Sequence, residues 1–132
     1  MKSPEAASKR NNPQRKMKIV INKKYVGFGL SEEAILLYGD KKGLNIIAKE
    51  DERVKTITHY YLNEVKNENL FAEWEIERND PILVEVVEQL GDLANTGYTK
   101  LKIVEVPDDV QWEIKQGDLG HEWVAEKHRT WE

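Results

Sequence analysis

The sequence of 132 residues contains no cysteine, and this absence excludes several kinds of chemistry at once. Without a thiol, the chain has no disulfide framework, no thiolate nucleophile and no cysteine-ligated zinc site. It also has no apolar run near the roughly 20 residues that span a bilayer. The N-terminus lacks the apolar core of a signal peptide. We therefore expect a protein of the cytoplasm that has no membrane partner.

Catalytic nucleophiles and metal ligands are scarce as well. Of the three serines, two lie in the first eight residues, and Ser31 stands where a helix cap is expected. The three histidines, His59, His121 and His128, lack the i, i+4 spacing of a helical zinc motif. Carboxylates are abundant, but the sequence sets no single acid apart as a general acid. The sequence thus predicts a protein that binds rather than catalyses, without a metal or a cofactor.

Charge of the two signs is unevenly distributed along the chain. Five basic residues against Glu5 give residues 1–16 a net charge of +4, so the rest of the chain carries −8 of the total of −4. An acidic body argues against duplex DNA as a partner, because DNA-binding faces are basic. The first 16 residues have no apolar side chain larger than alanine after Met1, and such a segment cannot offset its ordering entropy. We predict a disordered basic tail over 1–16 and a single domain over 17–132, and favour a solvated leader over an arm that contacts RNA or acidic partners.

The pattern of the remaining chain predicts an α+β fold in which an antiparallel sheet is covered by two helices. Ser31 is a good N-cap for a first helix, which Gly39 is expected to end. Asp80 and Pro81 begin a second, amphipathic helix. Alternating or β-branched runs predict strands at 17–22, 44–48, 56–62, 72–76, 101–106, 110–115 and 122–127.

Two segments have the composition of a ligand site. Glycines flank Phe28 immediately before the Ser31 helix, and such a loop binds anions in some proteins, although a structural turn is the favoured interpretation. The C-terminal segment 123–131 places basic residues between two tryptophans. Arginine grips phosphate and aromatic rings stack on bases, but the same tryptophans also suit a docked strand or a subunit contact. The two interpretations of the C-terminal segment are compatible and are weighed equally.

Four strings within 17–132, namely MKIVINKKYVGFGLS, DPILVEVVEQLGDLAN, KIVEVPDDVQWEI and EWVAEKHRTW, resemble small phage proteins, among them the Thoeris anti-defence sponge family. The resemblance implies that the protein sequesters immune second messengers of the host without cleaving them. The messengers implied are cyclic ADP-ribose isomers and cyclic oligonucleotides. It also implies a homo-oligomer, dimer or hexamer, in the host cytoplasm, with ligand pockets between subunits.

With the resemblance, residue chemistry suggests the ligand contacts. Arg129 and Lys127 suit the negative charge of a messenger, while Phe28 and Trp131 suit stacking on adenine and Asn95 supplies an amide. The full set expected at the ligand is Phe28, Asn95, Lys127, His128, Arg129, Thr130 and Trp131. Two competing hypotheses remain: an acidic phage protein that inhibits a host enzyme by direct protein–protein binding, and a hydrolase of cyclic nucleotides.

Overall fold

The computed structural model describes residues 15–25 and 27–127, and within them the α+β class is confirmed. The helices and strands in chain order are β1 (Lys16–Asn22), α1 (Glu32–Lys42), β2 (Ile46–Glu50), β3 (Thr58–Leu62), α2 (Pro81–Leu90), β4 (Leu101–Pro107), β5 (Trp112–Gln116) and β6 (Glu122–Glu126). Three short 3-10 helices are formed by Asn67–Asn69, Glu73–Glu75 and Gly91–Ala94. Residues 1–14 of the predicted tail lie outside the described residues.

The strands pair antiparallel, as predicted, but in three two-stranded sheets rather than one: β1 with β4, β2 with β3, and β5 with β6. The reason lies at the second edge of β1. There the Val20 N–H donates to the Arg78 carbonyl at 2.9 Å, and the Asn22 N–H donates to the Glu122 carboxylate at 2.8 Å. A carbonyl from a loop and a side chain thus take the hydrogen bonds that a third strand would have made.

The core lies on both faces of β1. Val20 and its cross-strand partner Ile103 pack with the buried faces of the two helices. Ile19 and Ile21 point to the opposite face, because side chains alternate along a strand, and both are fully buried or nearly so. Each such side chain contributes roughly 1.5–3 kcal/mol through removal from water. The β1–β4 sheet therefore anchors the loop that follows Asn22 from two sides.

Both predicted helix starts are confirmed, but the predicted end of α1 is wrong. The Ser31 and Asp80 side chains cap the two helices by accepting from the Ala34 and Ile82 N–H groups. Gly39 does not end α1. It lies inside the helix, where a β-carbon would come 2.7 Å from the Ile46 side chain, so its lack of a side chain lets β2 approach. The helix ends instead at Gly43, which has a left-handed φ of 79°.

The strand predicted over 72–76 is also wrong. Residues Glu73–Glu75 form one turn of 3-10 helix. Trp74 within this turn is 60% exposed, whereas Ile76, which follows the turn, is buried. A short alternation of apolar and acidic residues therefore mimicked a half-buried strand here. No helix in the described part of the chain has the length and apolar character required to cross a bilayer.

Candidate functional site

Three of the seven residues expected at the ligand, Phe28, Asn95 and Lys127, lie in the described part of the chain. Residues 128–131, which complete the set, lie outside it. The loops that carry Phe28 and Asn95 are adjacent, because the Ser31 N–H donates to the Ala94 carbonyl at 2.9 Å. Lys127 lies beyond the far end of β6, five residues or about 17 Å of strand from Glu122, which meets Asn22 at the end of β1. The described residues therefore bring Phe28 and Asn95 to neighbouring loops but not Lys127.

Phe28 has a partner of its own within the protein. The Arg78 guanidinium lies over its ring, with the Cζ atom 3.7 Å from the ring centroid. This is a cation–π contact, and it covers one face of the ring. Phe28 thus helps to hold Arg78, and that face is not free to stack on a base.

Arg78 in turn forms a bidentate ion pair with Glu122. The two nitrogen–oxygen distances are 2.7 and 2.8 Å, and the side chain of Glu122 is only 3% exposed. Glu122 Oε1, which accepts from Arg78 at 2.7 Å, also accepts from the Asn22 N–H. Arg78 donates in addition to the Val20 carbonyl at 3.3 Å. These extra hydrogen bonds offset the cost of taking two charges out of water. The pair joins the start of β6 to the end of β1.

Asn22 fixes the loop that leaves β1. Its side-chain carbonyl accepts from the N–H groups of Lys24 and Lys100, at 3.1 and 2.9 Å. Its amide donates to the carbonyls of Lys24 and Gly27, at 3.0 and 2.6 Å. Because the amide is fully buried and makes all four hydrogen bonds, it fixes the positions of Lys24 and Gly27 relative to the end of β1. Gly27 adopts a φ of 103°, a value that L side chains rarely adopt.

Asn95 also has a structural role. Its side-chain carbonyl accepts from the Leu101 N–H at 2.8 Å and so fixes the entry into β4. The same segment is folded by Thr99, whose hydroxyl accepts from the Thr96 N–H at 2.8 Å. An adenine contact would thus fall to the Asn95 amide nitrogen.

The glycine loop before α1 is better suited to a turn than to an anion site. The hydroxyl of Ser31 accepts from the Ala34 N–H at 3.1 Å and donates to the Leu93 carbonyl at 2.6 Å. Glu32 and Glu33 occupy the first helical turn, and a β-carbon at Gly29 would lie 3.8 Å from a Glu73 carboxylate oxygen. The helix terminus is therefore capped and surrounded by negative charge, which favours the structural interpretation of this loop.

An aromatic cluster lies where the loop after β1 meets the β5–β6 hairpin. The ring centroids of Tyr25 and His121 are 6.0 Å apart in an edge-to-face arrangement. Those of His121 and Trp123 are 5.6 Å apart and tilted by 34°. Tyr25 is 57% exposed and Trp123 is 40% exposed, so each ring offers surface to solvent. Exposed aromatic rings that are already held by neighbours are suited to stacking on a flat ligand.

His121 is the centre of this cluster and is held tightly. A β-carbon at Gly117 would overlap its ring, so only glycine leaves room for the imidazole at this turn. The turn is closed by a hydrogen bond from the Gly117 N–H to the His121 carbonyl at 2.8 Å. The Nδ1 atom of His121 is buried and has no hydrogen-bond partner among the described residues. Buried polar atoms of this kind are uncommon in proteins and mark positions that need an explanation.

Three exposed lysines lie on the two backbone segments that meet beside Tyr25. Lys23 and Lys24 directly precede Tyr25, and the Lys23 N–H donates to the Lys100 carbonyl at 2.8 Å. The side chains of Lys23, Lys24 and Lys100 are exposed, and none forms a salt bridge with a carboxylate of residues 15–25 or 27–127. We call this surface the aromatic–basic edge, and it consists of Lys23, Lys24, Tyr25, Lys100, His121 and Trp123. It contains three lysines on a protein whose net charge is −4.

Sequence reasoning placed no site at this edge. Tyr25 and His121 are 96 residues apart in the sequence, and no local pattern reveals their contact or the hydrogen bond between the Asn22 N–H and Glu122 that joins their segments. The one signal in the sequence is the tryptophan at position 123, which its neighbours in the sequence group with the C-terminal segment. The structure separates it from Lys127 by placing the two at opposite ends of β6.

Among the other polar groups of the described ranges, His59 and Asp51 form the one histidine–carboxylate contact. His59 lies in β3 with its Nε2 atom 3.0 Å from an Asp51 carboxylate oxygen. The hydrogen bond from His59, together with those from the Val54 and Arg53 N–H groups, lowers the pKa of Asp51 to about 2. Within residues 15–25 and 27–127, no three histidine, aspartate or glutamate side chains are grouped to hold a metal ion.

Comparison of the chain with protein-family models, with curated protein sequences and with solved structures found no match. No family is therefore shown for this chain, and the resemblance to the sponge family remains a hypothesis.

Proposed function

We propose that this protein binds an anionic nucleotide-type second messenger at the aromatic–basic edge and sequesters it without cleaving it. The observation that carries the proposal is the cluster in which His121 contacts the exposed rings of Tyr25 and Trp123. Tyr25 directly follows two exposed lysines that have no carboxylate partner in the described part of the chain. Bases stack on aromatic rings, and ammonium groups bind phosphate. This pairing of chemistries is the one that a cyclic ADP-ribose isomer or a cyclic oligonucleotide requires.

The proposal divides the work among the residues of the edge. Tyr25 and Trp123 stack on the base, each base contributing roughly 1–3 kcal/mol. Lys23 and Lys24, which precede Tyr25, and Lys100, whose carbonyl accepts from the Lys23 N–H, supply the charge that balances the ligand. Arg78 already pairs with Glu122 and packs on Phe28, so its role is to hold the start of β6 in place rather than to bind phosphate.

Sequestration places lower demands on the site than catalysis does. A protein that removes a messenger needs only affinity and abundance, because bound ligand is withdrawn by mass action. It needs no group that stabilises a transition state. Acting in the host cytoplasm, an abundant phage protein of this kind blocks a defence signal without consuming a co-substrate.

The proposal includes assembly into a homo-oligomer, dimer or hexamer. Tyr25, Tyr98 and Trp123 are among the exposed aromatic residues, and large aromatic side chains are enriched at the centres of interfaces. Light scattering is expected to return a multiple of the 15.4 kDa chain mass. A monomer mass at micromolar concentration would remove this part of the proposal and leave binding at the edge to be tested alone.

The test uses cyclic ADP-ribose and cyclic tri-adenylate as probes. Binding is expected to raise the melting temperature of the protein, because ligand at large excess over Kd adds several kcal/mol to the free energy of unfolding. After incubation the protein is denatured by heat, and the released probe is analysed by chromatography. Intact probe supports sequestration, whereas loss of probe with time indicates a hydrolase. No stabilisation by either probe contradicts the proposal and favours the competing hypothesis of a protein that inhibits a host enzyme directly.

A further inference from the structure

A second surface of the protein has a different chemistry. An open cleft of about 360 Å³ lies between the start of α2, the end of β3 and the segment that joins them. Its floor is apolar and its rim is acidic. The floor consists of buried or half-buried apolar side chains and includes Leu62, Phe71 and Ile76. The rim consists of exposed side chains, namely the carboxylates of Glu75 and Glu77 together with Leu70.

The negative charge of the rim is only partly balanced. The charge of Asp80, at one end of the cleft, is already balanced, because its carboxylate accepts hydrogen bonds from the Lys42 ammonium and the Tyr38 hydroxyl, each at 2.7 Å. Burial alone would raise the pKa of Asp80, but these hydrogen bonds and that of the Ile82 N–H lower it. Glu75 and Glu77 are exposed and form no salt bridge with any residue of 15–25 or 27–127. Two carboxylates therefore remain for a cation from outside.

Large apolar side chains accompany these carboxylates at the surface. Leu70, which lines the cleft, is 52% exposed, and Trp74, in the same short helix as Glu75, is 60% exposed. Exposed apolar groups next to a concave apolar floor are a common feature of surfaces that bind other proteins. The combination calls for an occupant that has an apolar anchor and flanking positive charge.

We propose that this cleft docks a segment of another protein in which an apolar side chain is flanked by arginine or lysine. The apolar anchor enters against the floor, and its cationic neighbours pair with Glu75 and Glu77. Charge complementarity of this kind speeds encounter and selects the partner more than it adds affinity. The interaction is independent of nucleotide binding, because the cleft shares no residue with the aromatic–basic edge.

The N-terminal segment of this chain fits the cleft less well. Residues 1–16 are basic, but after Met1 they contain no apolar side chain larger than alanine apart from proline. They match the charge of the rim and lack an anchor for the floor. This difference makes a peptide of residues 2–16 a control for charge without an apolar anchor.

The test measures binding of a short fluorescent peptide, in which leucine alternates with arginine, to the full chain by anisotropy. We expect binding that the Glu75→Gln/Glu77→Gln variant weakens about tenfold, because two surface ion pairs are lost. Added salt should weaken binding to the unchanged protein in the same direction. Leu70→Ser is expected to weaken binding through the anchor, while Glu126→Gln, an exposed acid on β6, serves as the matched control.

The possible outcomes decide between occupants. Loss of binding in both cleft variants, with unchanged melting temperatures and an unaffected control, supports the proposal. Equal binding to all variants overturns it. Equally tight binding of the 2–16 peptide also overturns it and assigns the cleft to the N-terminal segment. Displacement of the leucine–arginine peptide by cyclic ADP-ribose would show that the two surfaces are not independent, a result that leaves the nucleotide proposal standing and rejects this one.

Discussion

Arg78 and Glu122 meet in a bidentate ion pair that joins two parts of the chain 44 residues apart. Their side chains are 16% and 3% exposed. The pair closes the free edge of β1, holds the start of β6 beside Asn22, and places the guanidinium against Phe28. The ion pair and the hydrogen bond from the Asn22 N–H to Glu122 together hold the β5–β6 hairpin beside the loop after β1, where the aromatic–basic edge forms.

Glu122→Gln should destabilise the protein strongly. The change leaves the Arg78 guanidinium buried without a matching negative charge, and breaking one partner of a buried pair typically costs about 3–5 kcal/mol. Urea denaturation followed by circular dichroism measures the change in the free energy of unfolding. Glu126→Gln, on the same strand but exposed, should change it by less than about 0.5 kcal/mol. A loss below about 1 kcal/mol for Glu122→Gln would show that the pair does not stabilise the fold.

Gly117→Ala should disturb the aromatic cluster through a steric clash. The new β-carbon would overlap the His121 ring, and overpacking of this kind costs about 1–3 kcal/mol. Adding His121→Ala removes the ring and should restore most of the lost stability, so thermal melts of the two single variants and the double variant form a double-mutant cycle. If the two effects simply add, the two residues are not in contact and the cluster is wrongly described.

Asp51 predicts a specific acid response. Its folded-state pKa of about 2 is below the ordinary 3.8, so ionised Asp51 stabilises the folded state at neutral pH. This stabilisation is present above the unfolded pKa and disappears as the pH falls from the unfolded pKa through the folded one. The melting temperatures of the wild type and Asp51→Asn should therefore differ at neutral pH and converge near pH 2. A difference that does not depend on pH would contradict the assigned role of the charge.

Local patterns in the sequence predicted most of the individual elements. The caps Ser31 and Asp80 begin their helices, and the β-branched run 17–22 forms β1, because these signals act within a few residues. Predictions failed where tertiary packing decided the outcome. Gly39 resembled a helix end but serves to admit Ile46. The alternation around Trp74 had no neighbouring strand on which to form a ladder.

The site was harder to predict than the elements. Phe28 and Asn95 were chosen for their chemistry, and both turn out to have internal partners, Arg78 and Leu101. Tyr25 and His121 come together where long-range contacts, among them the hydrogen bond from the Asn22 N–H to Glu122, hold the β5–β6 hairpin at the end of β1. A contact across such a sequence separation has no local signature, so composition alone pointed to the C-terminal segment instead.

The central claim is that the exposed rings of the aromatic–basic edge bind the base of a nucleotide messenger. Isothermal titration of cyclic ADP-ribose and cyclic tri-adenylate into the wild type and Tyr25→Ala/Trp123→Ala tests it most directly, with Trp74→Ala as the control for loss of an exposed aromatic ring. The account predicts that the double variant binds the probe at least about fivefold more weakly, from roughly 1–3 kcal/mol of stacking for each base, while the control binds as the wild type does. Unchanged affinity in a double variant that melts at the wild-type temperature would contradict it.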